Sequence, residues 1–203
     1  MESKRAIQVV GLLIILSGGG AAGQSSRDDW KKGNAHDVDG KLVHSLANAP
    51  LKAKERVEIY RLLDNRTIHD SFTDAQRAEE RETVMGARVG FIQLAENGGQ
   101  QVLVQGPRMF CGASGNCRYL VLIRQGERLQ LVLDAGGAFL LRNTSSHGFR
   151  DVATSWHMSA YEALFNVYHW DGTKYEKADC YSVNWDRDTP DRPPAIAGCH
   201  EGR

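Results

Sequence analysis

The sequence predicts an α+β domain, in which an N-terminal helical segment precedes a mainly antiparallel β meander or sandwich of about eight strands. Three observations carry this. Apolar residues recur at helical spacing only ahead of residue 87. Beyond it the chain turns to short runs rich in Val, Ile, Leu and aromatics. Those runs are separated by Asn97-Gly98, Gln125-Gly126, Gly136-Gly137 and Asp171-Gly172, which are turn signals.

Residues 1–23 read as an export signal. Lys4 and Arg5 precede a short apolar run, Ala6 to Leu16, and small residues follow through Gly23. That run is too short for a membrane-spanning helix, which needs about 20 residues. Residues 24–49 are polar and read as a flexible leader. Residues 50–86 read as helical. Pro50 suits a first turn, and Leu51, Val57, Tyr60 and Leu63 outline an apolar stripe. Thr73 with Gln76 has the spacing of a capping box for a second, solvated helix reaching Met85.

Residues 87–183 form the expected β-rich domain. Val89–Leu94 and Gln101–Gln105 flank Asn97-Gly98, and a two-residue turn there sets Ile92 opposite Leu103 and Phe91 opposite Val104. Strands follow at 118–124, 127–134, 138–142 and 149–155. The last hairpin, 161–170 with 173–183, turns at Asp171-Gly172 and pairs Tyr168 with Tyr175. Tyr168, Trp170 and Tyr175 then share a face, either in a core or as a binding platform. Residues 184–203 form a polar tail tied down by a cysteine.

Lys plus Arg and Asp plus Glu number 25 each, for a formal net charge of zero. That balance argues against a nucleic-acid partner, since phosphate binding needs a positive face. The four cysteines, Cys111, Cys117, Cys180 and Cys199, read as disulfides in an exported chain. Proximity favours Cys111–Cys117 and Cys180–Cys199 among the possible connectivities. A zinc site would want C-x2-4-C pairs, and the gaps here are five and eighteen residues.

Candidate chemistry is sparse. His157 and Ser159 are two apart, so a strand would place them on one face, as a nucleophile and base require. No G-x-S-x-G elbow or S-x-x-K accompanies them. Polar residues bonding a turn's backbone are the plainer explanation of that segment. No H-E-x-x-H occurs, and neither a metal site nor a cofactor is expected. Leu94 to Val104 has the outline of a calcium loop, but only Glu96 and Asn97 offer side-chain oxygens beside its glutamines. Cys111-Gly-Ala-Ser-Gly-Asn-Cys117 is the most distinctive motif, a small ring whose amides have the makings of an anion nest.

The CG-x-x-GNC loop, the Gly148-Phe-Arg-Asp151 strand and the Tyr168-x-Trp-Asp-Gly-x-x-Tyr175 hairpin together resemble a family of small exported bacterial β-rich proteins of unknown function. The resemblance spans residues 87–183 and implies a periplasmic or secreted domain. It implies no activity and no catalytic residue. The expectation is therefore an exported, non-catalytic binding or inhibitory module whose partner is a protein or cell-envelope component. Tyr168, Trp170, Tyr175, His157 and Ser159 are its expected surface. A hydrolase using His157 and Ser159, and a structural, calcium-stabilised envelope domain, are the alternatives.

Overall fold

The computed structural model describes residues 35–64, 73–108 and 111–184. The export signal expected at 1–23 and the tail beyond Asn184, with Cys199, lie outside the described residues. The elements are β1 (Ala35–Asp37), β2 (His44–Ser45), α1 (Ala53–Leu63), α2 (Asp74–Met85), β3 (Arg88–Ile92) and β4 (Gln101–Gln105). There follow β5 (Arg118–Gln125), β6 (Arg128–Gly136), β7 (Ala138–Ser146), β8 (Phe149–His157), β9 (Glu162–Trp170) and β10 (Tyr175–Asn184).

The chain is mostly antiparallel β with two helices. Two five-stranded sheets have the orders β2-β3-β4-β5-β6 and β1-β7-β8-β9-β10. Each is a four-strand meander extended at one edge by a short strand from residues 35–45. Between the sheets pack Leu103, Tyr119 and Val121 from one and Phe139, Val152, Trp170 and Tyr175 from the other. The helices cover the outer face of the first sheet, where Ile59, Leu63 and Val84 meet Val102, Val104, Leu120 and Leu122.

Residues 35–49, expected within the flexible leader, belong to this body. Val38, Leu42, Leu46 and Ala49 are buried. Their spacing of four, four and three residues is a helical one, yet the segment forms two short strands and each of the four side chains enters a core. Two strands therefore precede the helices, which are not the first elements of the fold.

The α2 cap forms as its spacing indicates. Gln76 N donates to Thr73 Oγ1 (3.3 Å), and Thr73 N donates to Gln76 Oε1 (2.8 Å). In α1 the stripe differs from expectation. Val57 is exposed, and Glu55, Ile59 and Leu63 are buried. Arg124, near the end of β5, explains the difference, because its Nε donates to Glu55 Oε1 at 2.8 Å and draws the carboxylate inward. Glu55 Oε2 also accepts from Lys52 N (2.8 Å) at the start of the helix. The Arg124 hydrogen bond holds the Glu55 carboxyl below its ordinary value, outweighing the burial that pushes it up.

Two hairpins are longer at the turn than their Asn-Gly and Asp-Gly pairs indicate. In β3–β4, Ile92 pairs with Gln101 and Gly90 with Leu103, and residues 93–100 form the connection. Gln101 Oε1 accepts from Leu94 N (2.6 Å), and Gln93 Nε2 donates to Gly98 O (2.7 Å), so side chains shape the loop. The loop's own backbone bonds the opposite sheet, with Glu96 N donating to Gly148 O (3.0 Å). In β9–β10, Tyr175 pairs with Trp170 and Lys177 with Tyr168. Asp171 Oδ1 accepts from Thr173 N (2.6 Å) and Lys174 N (2.8 Å), closing a longer turn. Both slips are by two residues, so the side chains beside each turn keep their faces. In β10 this holds as far as the bulge between Lys177 and Asp179, beyond which Tyr181 and Val183 leave the cluster that Tyr175 joins.

The chain passes from one sheet to the other across Gly137, which lies at φ 103° between β6 and β7. A Cβ on Gly137 would stand 2.5 Å from Ser155 O, and one on Gly136 would stand 2.2 Å from Trp156 Cζ2. Gly137 N donates to Cys117 O (2.9 Å), which ties this corner to the cysteine loop.

Gly137→Ala is expected to destabilise the fold by about 2–4 kcal/mol in urea unfolding, combining left-handed strain with overpacking. For Glu55 the folded-state carboxyl is depressed. Its stabilisation is thus full above the ordinary value and is lost as pH falls through the folded one. Glu55→Gln is expected to cost about 1–3 kcal/mol at neutral pH. The gap to wild type should close on acidification in a series of unfolding curves.

Candidate functional site

Cys111 and Cys117 are joined by a disulfide across six positions of sequence. Cys180 is buried and also disulfide-bonded. The Cys111–Cys117 ring opens with Gly112 at φ 67° and turns again at Gly115 at φ 74°, backbone settings in which a side chain would be strained.

The ring is pinned to the β8–β9 turn by a reciprocal pair of bonds. Asn116 Nδ2 donates to His157 O (3.2 Å), and His157 N donates to Asn116 Oδ1 (3.0 Å). Within the turn, Met158 N (2.9 Å) and Ser159 N (3.1 Å) both donate to Glu162 O. Tyr161 N donates to Ser159 Oγ (3.2 Å). Ser182 Oγ donates to Glu162 Oε1 (2.6 Å), fixing the start of β9 to β10.

This braced turn presents large apolar side chains to solvent. Trp156 is 38% exposed, Met158 62% and Tyr161 59%. Among the described residues only Val43 and Val57 are large apolar side chains similarly exposed, and neither lies in this segment. The Trp156 ring rests against Gly136 and Gly137, so its orientation is set by the corner between the sheets.

The expected aromatic surface of the last hairpin is instead core. Trp170 and Tyr175 are buried, and Tyr168 packs against the same cluster. Phe149 stacks on Trp170 with centroids 4.3 Å apart, and Trp170 meets Tyr175 edge-on at 5.3 Å. The Tyr175 hydroxyl donates to Arg150 O (2.7 Å), and burial pushes its ionisation up. The shared face is as expected, but it looks between the sheets. His157 and Ser159 are exposed on the β8–β9 turn. Among the described residues the His157 imidazole has no hydrogen-bond partner, and no carboxylate pairs with it.

Among the described residues two cavities bear on the candidate site and the loop at 93–100. One of about 830 Å³ lies by the loop at 93–100, with Phe91, Ile123 and Phe149 on its wall beside Glu96 and Gln101. Glu96 Oε1 there accepts from Ser145 Oγ (2.6 Å). No group of three or more His, Cys, Asp or Glu gathers around a metal position among the described residues. The other, of about 660 Å³, lies at the disulfide ring and is lined by Arg88, Gln105, Arg108 and the ring backbone. Beneath it Gln105 Nε2 donates to the Tyr119 hydroxyl (2.7 Å), whose ionisation burial pushes up to about 12.

Comparison with protein-family models, with curated proteins and with solved structures finds no match. The site thus rests on its own geometry. Sequence reasoning passed over Trp156, Met158 and Tyr161. Their one legible signal is that large apolar residues persist in the polar segment that follows the strand expected at 149–155.

Asn116→Ala removes both bonds between ring and turn. Hydrogen exchange at the His157 amide is expected to quicken, and global stability to fall by about 1–2 kcal/mol.

Proposed function

We propose that this protein is an exported, non-catalytic binding module that docks a protein of the cell envelope through its disulfide ring and β8–β9 turn. One observation carries the reading. Trp156, Met158 and Tyr161 stand exposed within six residues on a turn that hydrogen bonds and a disulfide hold in place. Aromatic residues and methionine are enriched where protein interfaces form, and a pre-organised surface loses less entropy on binding. Inhibition of an envelope enzyme is one form such docking takes.

Export is supported by the signal-like layout of residues 1–23 and by the disulfides, which persist in oxidising compartments. Among the described residues no helix is long and apolar enough to cross a membrane. A binding role is favoured over hydrolysis because, among the described residues, Ser159 Oγ accepts from Tyr161 N with no hydrogen bond to His157, and the His157 ring has no orienting partner.

The test uses a double variant, Met158→Ser with Tyr161→Ser, which spares the Trp156 contact with Gly136. Its retention of envelope partners in solution pull-down is expected to fall at least tenfold, the loss of about 1.4 kcal/mol that one modest interface anchor supplies. Its melting temperature should stay that of wild type. Equal capture by the two proteins, or recovery of the wild-type chain from the cytoplasm of fractionated cells, would defeat the reading.

A further inference from the structure

The cavity at the disulfide ring has a charge character that the apolar turn does not explain. Arg88 and Arg108 both line it, and no Asp or Glu does. The protein as a whole has zero formal net charge, so this concentration of positive charge is local.

Arg88 is fixed in place by neutral oxygens. Its Nη2 donates to Leu42 O (3.0 Å) and Asp39 O (3.1 Å), and its Nη1 donates to Gln105 Oε1 (3.2 Å). Its Nε reaches Leu42 O at 3.3 Å. These bonds orient the guanidinium without neutralising it. An arginine has five N–H donors in a rigid fork, so Nη1 keeps a donor beyond the one given to Gln105. The guanidinium of Arg108 has no hydrogen-bond or ion-pair partner among the described residues. The neighbouring Arg118 differs, since Nε and Nη2 grip Asp134 at 2.8 and 2.6 Å. Asp134 is therefore committed elsewhere.

The ring supplies the remaining wall. Among the described residues the amides of Gly112 and Ala113 have no acceptor, whereas Gly115 N donates to Gly112 O (3.2 Å). Gly112 is left-handed at φ 67°, and a left-handed residue among right-handed ones is the unit from which backbone anion nests are made. Guanidinium groups with unspent donors match a pair of oxygens on a carboxylate or a phosphate.

We propose that this cavity binds an oxyanion, a carboxylate or phosphate group held between Arg88 and Arg108 against the disulfide ring. The site shares the disulfide ring with the proposed docking surface but uses neither Met158 nor Tyr161. Arg88 fixes the position of the anion and Arg108 closes on it. The intact disulfide holds the ring amides toward the same group.

The test is an NMR titration of the mature, oxidised protein with inorganic phosphate and, separately, with acetate, chloride holding ionic strength constant. Saturable shifts of the Gly112, Ala113 and Gly115 amides are expected with at least one of the two. Saturation by phosphate alone assigns a phosphate ligand, by acetate alone a carboxylate, and by both a site for either. Arg108→Gln, a change at an exposed side chain, should weaken the binding at least tenfold. Arg88→Lys, which keeps the charge and loses the fork, should weaken it too. The Met158→Ser and Tyr161→Ser double variant should titrate as wild type does, which separates this site from the docking surface. Absence of saturation with both anions, or an unchanged affinity in Arg108→Gln, would overturn the proposal.

Discussion

The chain changes sheets across one residue, and much of the molecule is arranged around that step. β6 ends at Gly136, β7 begins at Ala138, and Gly137 between them takes a left-handed φ of 103°. No side chain fits at either glycine, because Trp156 and the Ser155 carbonyl occupy the space. The corner thus fixes the spacing of the two sheets at this end and holds Trp156 at the surface. Its amide bonds Cys117 O, which joins the corner to the disulfide ring. The ring in turn holds His157 through Asn116. Corner, ring and turn are one continuous hydrogen-bonded assembly, and the exposed apolar residues take their positions from it.

The two sheets are not equivalent in what covers them. The first is packed on both faces, by the second sheet inside and by α1 and α2 outside. Its central strands accordingly lack alternation, as in Gln101–Gln105, where Val102, Leu103 and Val104 run on without a polar residue and all five positions are buried. Glu55 is the polar exception under the helices, and its pairing with Arg124 makes that burial tolerable. The second sheet carries the hairpin aromatics on its inner face, and the stacking of Phe149 on Trp170 fills the space between sheets.

Local signals were readable and tertiary ones were not. The α2 cap needs only Thr73 and Gln76, three residues apart, and the structure contains it. The strand runs after residue 87 were legible because alternation is a local property. At Asn97-Gly98 and Asp171-Gly172 the turns are longer than the dipeptides alone indicate, because Gln93, Gln101 and Asp171 satisfy the backbone with side chains. Each slip is even, so the faces beside the turns are as alternation gives them, while the bulge after Lys177, which has no local signal, reverses them for the rest of β10. What could not be read was which way a face looks. Tyr168, Trp170 and Tyr175 do share one, but only the packing of the second sheet makes it interior. Residues 35–49 are illegible for a related reason, since Val38 and Leu42 find their place only between the two sheets and Leu46 only beneath the helices.

That N-terminal stretch also bears on the order of assembly. β1 pairs with β7 and β2 with β3, so residues 35–45 span both sheets. The meanders themselves are built from neighbouring hairpins, whose loops close at small entropic cost. The β1 pairing instead joins Ala35 to Arg142, roughly a hundred residues away, and must await a formed β7. A segment synthesised early is therefore among the last to find its place.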